Sequence, residues 1–155
     1  MTFPQPHNHA FRGAGEPPIW APYYGAPFPT AVKRFWKKYT LFSGRASRSE
    51  YWWWTLASAG VVIVLPIFAI PTGLQSQAGM IVLGLLLIWG LTTIVPSLAL
   101  TVRRLHDANL SGWLLLVGLV PFLGGIALLV MTILESNQAG QRFDQPVNDS
   151  RVSVR

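Results

Sequence analysis

The sequence predicts an all-α membrane protein with three transmembrane helices, the third kinked or re-entrant, and an amphipathic interfacial helix before them. Three observations carry this expectation. No Asp, Glu, Lys or Arg occurs between Glu50 and Arg103, and none between Asp107 and Glu135. A bilayer core of about 30 Å takes about 20 apolar residues as a helix, so the first silent stretch has room for two crossings and a turn and the second for one. Neither stretch shows the polar face that a soluble core helix presents every third or fourth residue. Charged residues make up 12% of the chain, where about 25% is usual, and the mean hydropathy is positive.

The net charge is +6, and its distribution argues against nucleic acid as a partner. Six of the twelve basic residues, Lys33, Arg34, Lys37, Lys38, Arg45 and Arg48, stand just before the first apolar run. That position suits anionic headgroups and the excess of cations on cytoplasmic loops. The chain has no cysteine, which excludes disulfides, cysteine-ligated metals and thiol nucleophiles.

Residues 1–29 hold seven of the twelve prolines, with Trp20, Tyr23 and Tyr24 among them. Proline removes amide donors and restricts its neighbour, so a disordered tether is expected here, with a proline-motif docking segment as the alternative. No apolar core follows a basic start, so the segment does not read as a cleaved signal peptide. His7 and His9 are too few to define a metal site. Residues 30–42 form the amphipathic element: Val32, Phe35, Trp36 and Tyr39 fall at i, i+3, i+4 and i+7, and Lys33, Arg34, Lys37 and Lys38 take the other face. Like charges at i and i+4 repel, so an anionic leaflet should favour this helix; packing on the protein itself is the alternative.

The transmembrane domain is expected over residues 43–134, with spans at about 51–70, 80–100 and 112–134. Ser47 and Glu50 have the spacing of a capping box, in which each side chain covers a free amide at the other's position, and they mark the start of the first span. Tyr51 to Trp54 follow at the depth of an aromatic belt. Pro66, Pro96 and Pro121 each deprive one carbonyl of its helical partner, those of Val62, Thr92 and Val117, so a kink is expected in every span. Ser111, Gly118, Gly125 and Thr132 recur every seven residues, a small-residue line suited to helix adhesion in lipid. Residues 135–155 read as a polar tail.

Two crossings place the Gly44–Glu50 and Arg103–Asp107 segments on one membrane face, and their basic character makes that face cytoplasmic. A third crossing would leave the tail outside. Alternatively, Pro121, Gly124 and Gly125 would let the third run fold back and return Arg142 to the motif face.

Several residues now combine into a family likeness. Phe42-x-Gly44-Arg45-Ala46-x-Arg48-x-Glu50-Tyr51-Trp52, then Arg103-Arg104-Leu105-His106-Asp107, then Ser111-Gly112-Trp113 with Pro121-x-x-Gly124, resemble the motifs of the bacterial membrane family catalogued as domain of unknown function 805, the YhaH type. The likeness covers about Trp36 to Pro146. Near its end the family pattern resembles G-x-N-R-Tyr-G-x-x-P, whereas this chain reads Gly140-Gln141-Arg142-Phe143-Asp144-Gln145-Pro146. The resemblance implies a small multi-pass inner-membrane protein with no established biochemical activity.

No catalytic residue, metal site or cofactor is assigned. His106 beside Asp107 has the chemistry of a general base, but neighbours on a helix point about 100° apart and would form a dyad only in a loop. The candidates for lipid or anion binding are Lys33, Arg34, Lys37, Lys38, Arg45, Arg48, Arg103 and Arg104, because forked guanidinium donors and clustered ammonium groups suit phosphate. The expected function is a non-enzymatic scaffold or accessory protein whose basic face meets anionic membrane lipids, with a second copy or another membrane protein as partner. One alternative is a transporter or channel subunit. The other is a lipid-modifying enzyme using His106 and Asp107 with Ser43 or Ser111. Glu50 and Asp107 are the carboxylates expected at the basic face, so Arg45 is expected to pair with Asp107.

Overall fold

The computed structural model describes residues 16–67, 69–73 and 75–144. Among them every regular element is helical: α1 (Phe28–Lys37), α2 (Arg48–Ile67), α3 (Gln77–Asp107) and α4 (Leu123–Ile133), with 3-10 helices at Ile70–Thr72, Gly112–Leu119 and Gln138–Phe143. α2 starts where the sequence places it. Ser47 Oγ accepts from the Glu50 amide and Glu50 Oε2 from the Ser47 amide, both at 3.1 Å, so the reciprocal cap is formed. α3 opens on a similar device, with Ser76 Oγ accepting from the Gly79 amide at 3.0 Å.

α2 and α3 are long and apolar enough to cross a membrane. The 20 residues of α2 rise about 30 Å, the thickness of the hydrocarbon, while the 31 residues of α3 outreach it. Large apolar side chains such as Ile63, Leu87 and Leu91 point outward, as lipid-facing groups do. The interior is small and aromatic. Phe35 of α1 stacks on Trp54 of α2 with centroids 3.4 Å apart, Trp54 lies 5.9 Å from Trp89 of α3, and Ala46 and Leu100 complete the cluster. The Ala46 amide donates to the Arg103 carbonyl at 3.0 Å, so the start of α2 and the end of α3 meet at one face, called here the motif face.

Pro96 lies inside α3, and Pro66 stands one residue from the end of α2. The Thr92 carbonyl that Pro96 leaves without a helical donor is satisfied from outside the helix: the Tyr39 hydroxyl donates to it at 2.7 Å.

The expected single helix over 112–134 is not formed. After the 3-10 arm Gly112–Leu119 the chain reverses at Pro121 and Phe122, and α4 runs back to the motif face. The Leu123 amide donates to the Pro121 carbonyl at 2.7 Å around Phe122, whose φ is 62°, a γ-turn of the rare, strained kind. The arms touch so closely that a Cβ on Gly124 would stand 2.1 Å from the Val117 carbonyl oxygen, which only glycine avoids. Each arm reaches about 16 Å, roughly half the hydrocarbon depth. The re-entrant alternative is therefore the arrangement found. The heptad line of Ser111, Gly118, Gly125 and Thr132 is broken with it, since Gly118 faces Leu128 of the opposite arm and Gly125 faces open space.

The N-terminal expectations are corrected as well. α1 begins at Phe28 and packs on the protein, and its four cations do not share an outer face: Lys33 and Lys37 are exposed, while Arg34 and Lys38 are 1% and 2% exposed. The Glu50 carboxylate lies between those two, one helical turn apart, and offsets their mutual repulsion by attraction to a shared partner. Residues 16–27 are not a free tether. Arg34 donates to the carbonyls of Pro17, Pro18, Ile19 and Ala21. A proline-rich stretch is short of amide donors but keeps every carbonyl, and a guanidinium is all donor, so the two are complementary. His7 and His9 lie outside the described residues, as does the C-terminal piece from 145 onward.

Candidate functional site

Two buried carboxylates organise the motif face. The first is Glu50, 3% exposed at the start of α2. Its Oε1 accepts from Arg34 Nε at 2.7 Å and from Lys38 Nζ at 3.4 Å, and its Oε2 accepts from the Tyr23 amide at 3.2 Å as well as from the cap amide. Arg103, 1% exposed, hydrogen-bonds through Nε to the Ala99 carbonyl at 3.2 Å and feels the Glu50 charge, but its buried Nη2 has no hydrogen-bond partner. Three buried cations thus gather around one buried carboxylate. Burial pulls the Lys38 ammonium down to about 8; Glu50 opposes that, and Arg34 and Arg103 add to it.

The second is Asp107, fully buried at the end of α3. It accepts from the Tyr24 hydroxyl at 2.7 Å, from Arg104 Nη1 at 2.7 Å and from the Ser136 hydroxyl at 2.5 Å. Arg45 Nη1 stands 3.8 Å from the same carboxylate, so the expected contact exists, yet the main partner of Arg45 is another residue. Its Nε and Nη2 grip both oxygens of Asp144, at 2.9 and 2.6 Å, in the two-point geometry that gives a guanidinium its strongest pairing.

The remaining motif residues tie the hairpin to this centre. Arg104 donates to the carbonyls of Thr132 and Leu134, and Arg48 to those of Leu134 and Ile133 at 3.0 and 2.5 Å. The last carbonyls of a helix have no internal donors and carry its negative dipole end, so two arginines from α2 and α3 hold α4 in place. His106 stacks on Phe143 with centroids 4.0 Å apart, and its Nδ1 is 3.1 Å from the Gly44 carbonyl oxygen. The Gly44 amide donates to the Phe143 carbonyl at 3.0 Å, and the Asn137 amide to the Asp107 backbone carbonyl at 2.8 Å. Gly140 fits below the end of α3 because a Cβ there would lie 2.4 Å from the His106 carbonyl oxygen.

The eight candidate cations therefore separate. Arg34, Lys38, Arg45, Arg103 and Arg104 are buried; Lys33, Lys37 and Arg48 are exposed. Among the motif residues, Glu50, Leu105 and Asp107 are interior, Tyr51 and Trp52 are half-buried, Gly112 lies against Val102 and His106, and Ser111 caps the first hairpin arm. Phe42, Trp113 and Pro121 are exposed, Pro121 at the hairpin turn beside Gly124. Sequence reasoning missed Tyr24, Ser136 and Asp144. Tyr24 lies in a stretch that reads as a tether, and the other two lie in the tail, which a third crossing would leave on the far side and only the fold-back alternative returns to the basic face.

These features define a class: a small polytopic membrane protein with two membrane-length helices and a re-entrant arm, locked at one face by charges buried within the chain. The chain belongs to the family described as Protein of unknown function (DUF805), whose profile matches residues 39–145. It is similar to the inner membrane protein YhaI of Escherichia coli K12, 38% identical over 107 residues that make up 69% of this chain and 86% of the relative. It is similar also to the inner membrane protein YhaH of that organism, 34% identical over 107 residues, 69% of this chain and 87% of the relative. No solved structure matches it significantly. The protein is an integral inner-membrane protein. Tyr24, Arg34 and Lys38 precede the matched stretch, so part of the charge centre lies outside the family profile.

Proposed function

We propose that the protein is a non-enzymatic scaffold or accessory protein of the inner membrane, with its motif face turned to the cytoplasm and to anionic headgroups. The observation that carries this reading is the state of the motif acid. Asp107 is fully buried and receives Tyr24, Arg104 and Ser136, side chains from three separate parts of the chain. A general base must reach the proton it takes, whereas this carboxylate is enclosed by donors of the chain itself. His106 is likewise engaged, stacked on Phe143 and bonded to Gly44. The motif thus joins elements to one another. Support for the orientation comes from the exposed cations of the same region, Lys33, Lys37, Arg48 and Arg142, which fit the excess of basic residues on cytoplasmic surfaces.

Reconstitution in liposomes containing phosphatidylglycerol tests the proposal. The protein should show neither lipid turnover nor ion flux above empty liposomes, and His106→Asn and Asp107→Asn should lower its unfolding temperature in detergent by several degrees. Turnover or flux that disappears in His106→Asn while the unfolding temperature stays unchanged would refute it.

A further inference from the structure

Beside the motif face lies a cavity of about 440 Å³, lined by Arg48, Ser49, Trp52, Trp53 and Leu56. We propose that it holds one anionic phospholipid, its phosphate on Arg48 and an acyl chain along Trp52, Trp53 and Leu56. This rests on the proposed meeting of the motif face with anionic lipid, and names one place where it occurs.

The charge argument starts from the arginines. Arg45 and Arg104 have carboxylate partners, but no carboxylate among the described residues stands within ion-pair distance of Arg48, which is exposed. Its Nε and Nη2 are fixed on the Leu134 and Ile133 carbonyls. A guanidinium carries five N–H groups, so donors and a full charge remain on Arg48 at the edge of a groove whose lining is otherwise largely apolar. Position adds the second argument. Arg48 opens a membrane-length helix, where headgroups lie, and Leu56 stands two turns deeper, where chains begin.

The wall between them suits a chain. Trp53 is steadied edge-on by Phe28, with centroids 5.6 Å apart, and Leu56 is 60% exposed, so a fixed aromatic surface meets an open apolar one. The volume falls within the range of about 300–1,000 Å³ usual for small-molecule sites. A second cavity, between α2 and α3 and lined by Tyr51, Thr55, Ser58, Ser97 and Thr101 among others, has no charged group to select a headgroup.

Native mass spectrometry of the full chain, titrated in detergent with phosphatidylglycerol or phosphatidylcholine, tests the site. The single phosphatidylglycerol adduct should form at least fivefold more readily than the phosphatidylcholine adduct, and Arg48→Gln should abolish that preference. Leu56→Trp, which fills the groove and leaves the charge centre untouched, should weaken the phosphatidylglycerol adduct severalfold; it decides the matter if Arg48→Gln does not fold. Millimolar inorganic phosphate should not displace the lipid, and displacement would mean a free-anion site instead. Equal adducts for both lipids, or no effect of Leu56→Trp, would overturn the proposal. A loss confined to a Lys33→Gln, Lys37→Gln variant would overturn this site while leaving the attraction of the basic face to anionic lipid intact.

Discussion

Lys38 shows how a single residue departs from what its pattern suggests. In the sequence it is one of four cations on a helical face, and only a count of carboxylates within reach tells which of them turn inward. Arg34 and Lys38 bury because Glu50 lies between them, while Lys33 and Lys37, a residue earlier in each pair, stay exposed. The price of that burial appears in the Lys38 ammonium, held at about 8 against 10.5 for an unconstrained lysine. A lysine whose folded value lies below its unfolded one is penalised when charged, so its contribution to stability is least favourable below about pH 8 and improves as the pH approaches 10.5. Between pH 7 and about pH 9.5 the parent should gain about 2 kcal/mol over a Lys38→Met variant, read by unfolding in detergent. Parallel profiles for the two proteins would mean that Lys38 does not titrate in this range. The Ser47–Glu50 cap, by contrast, was legible, because both of its partners lie within four residues.

Elements were legible to the extent that their partners are local. α2 and α3 followed from uncharged length alone, and α1 from its aromatic spacing. The third apolar run did not, because apolarity on all sides serves two arms folded on each other as well as one spanning helix. What decides between them is non-local: the Arg48 and Arg104 donors that meet the end of α4 come from two other helices. The proline inside α3 teaches the same. Pro96 is visible in the sequence, but the donor that satisfies the freed Thr92 carbonyl is Tyr39, 53 residues away. Tyr39→Phe removes only that hydroxyl and should lower stability by about 1–3 kcal/mol, the cost of an unpaired carbonyl in a dry setting. An unchanged unfolding midpoint would show that water or lipid serves the carbonyl equally well.

For the whole molecule, the charge centre and the hairpin are one construction. Asp107 and Gly140 bring the segment after α4 against the end of α3, Asp144 holds Arg45, and two arginines close the helix end between them. Removing one member of such a buried set leaves its partner charge unpaired, at a cost of about 3–5 kcal/mol. The absence of cysteine allows a direct reading of this topology. Single cysteines at Ser43, Gln75, Ala108 and Gln138 should fall into two classes toward an impermeant thiol reagent in intact cells: Gln75→Cys labelled from outside, and the other three labelled only after the membrane is opened. Labelling of Gln138→Cys from outside together with Gln75→Cys would mean that the third run crosses the membrane and that the latch does not form.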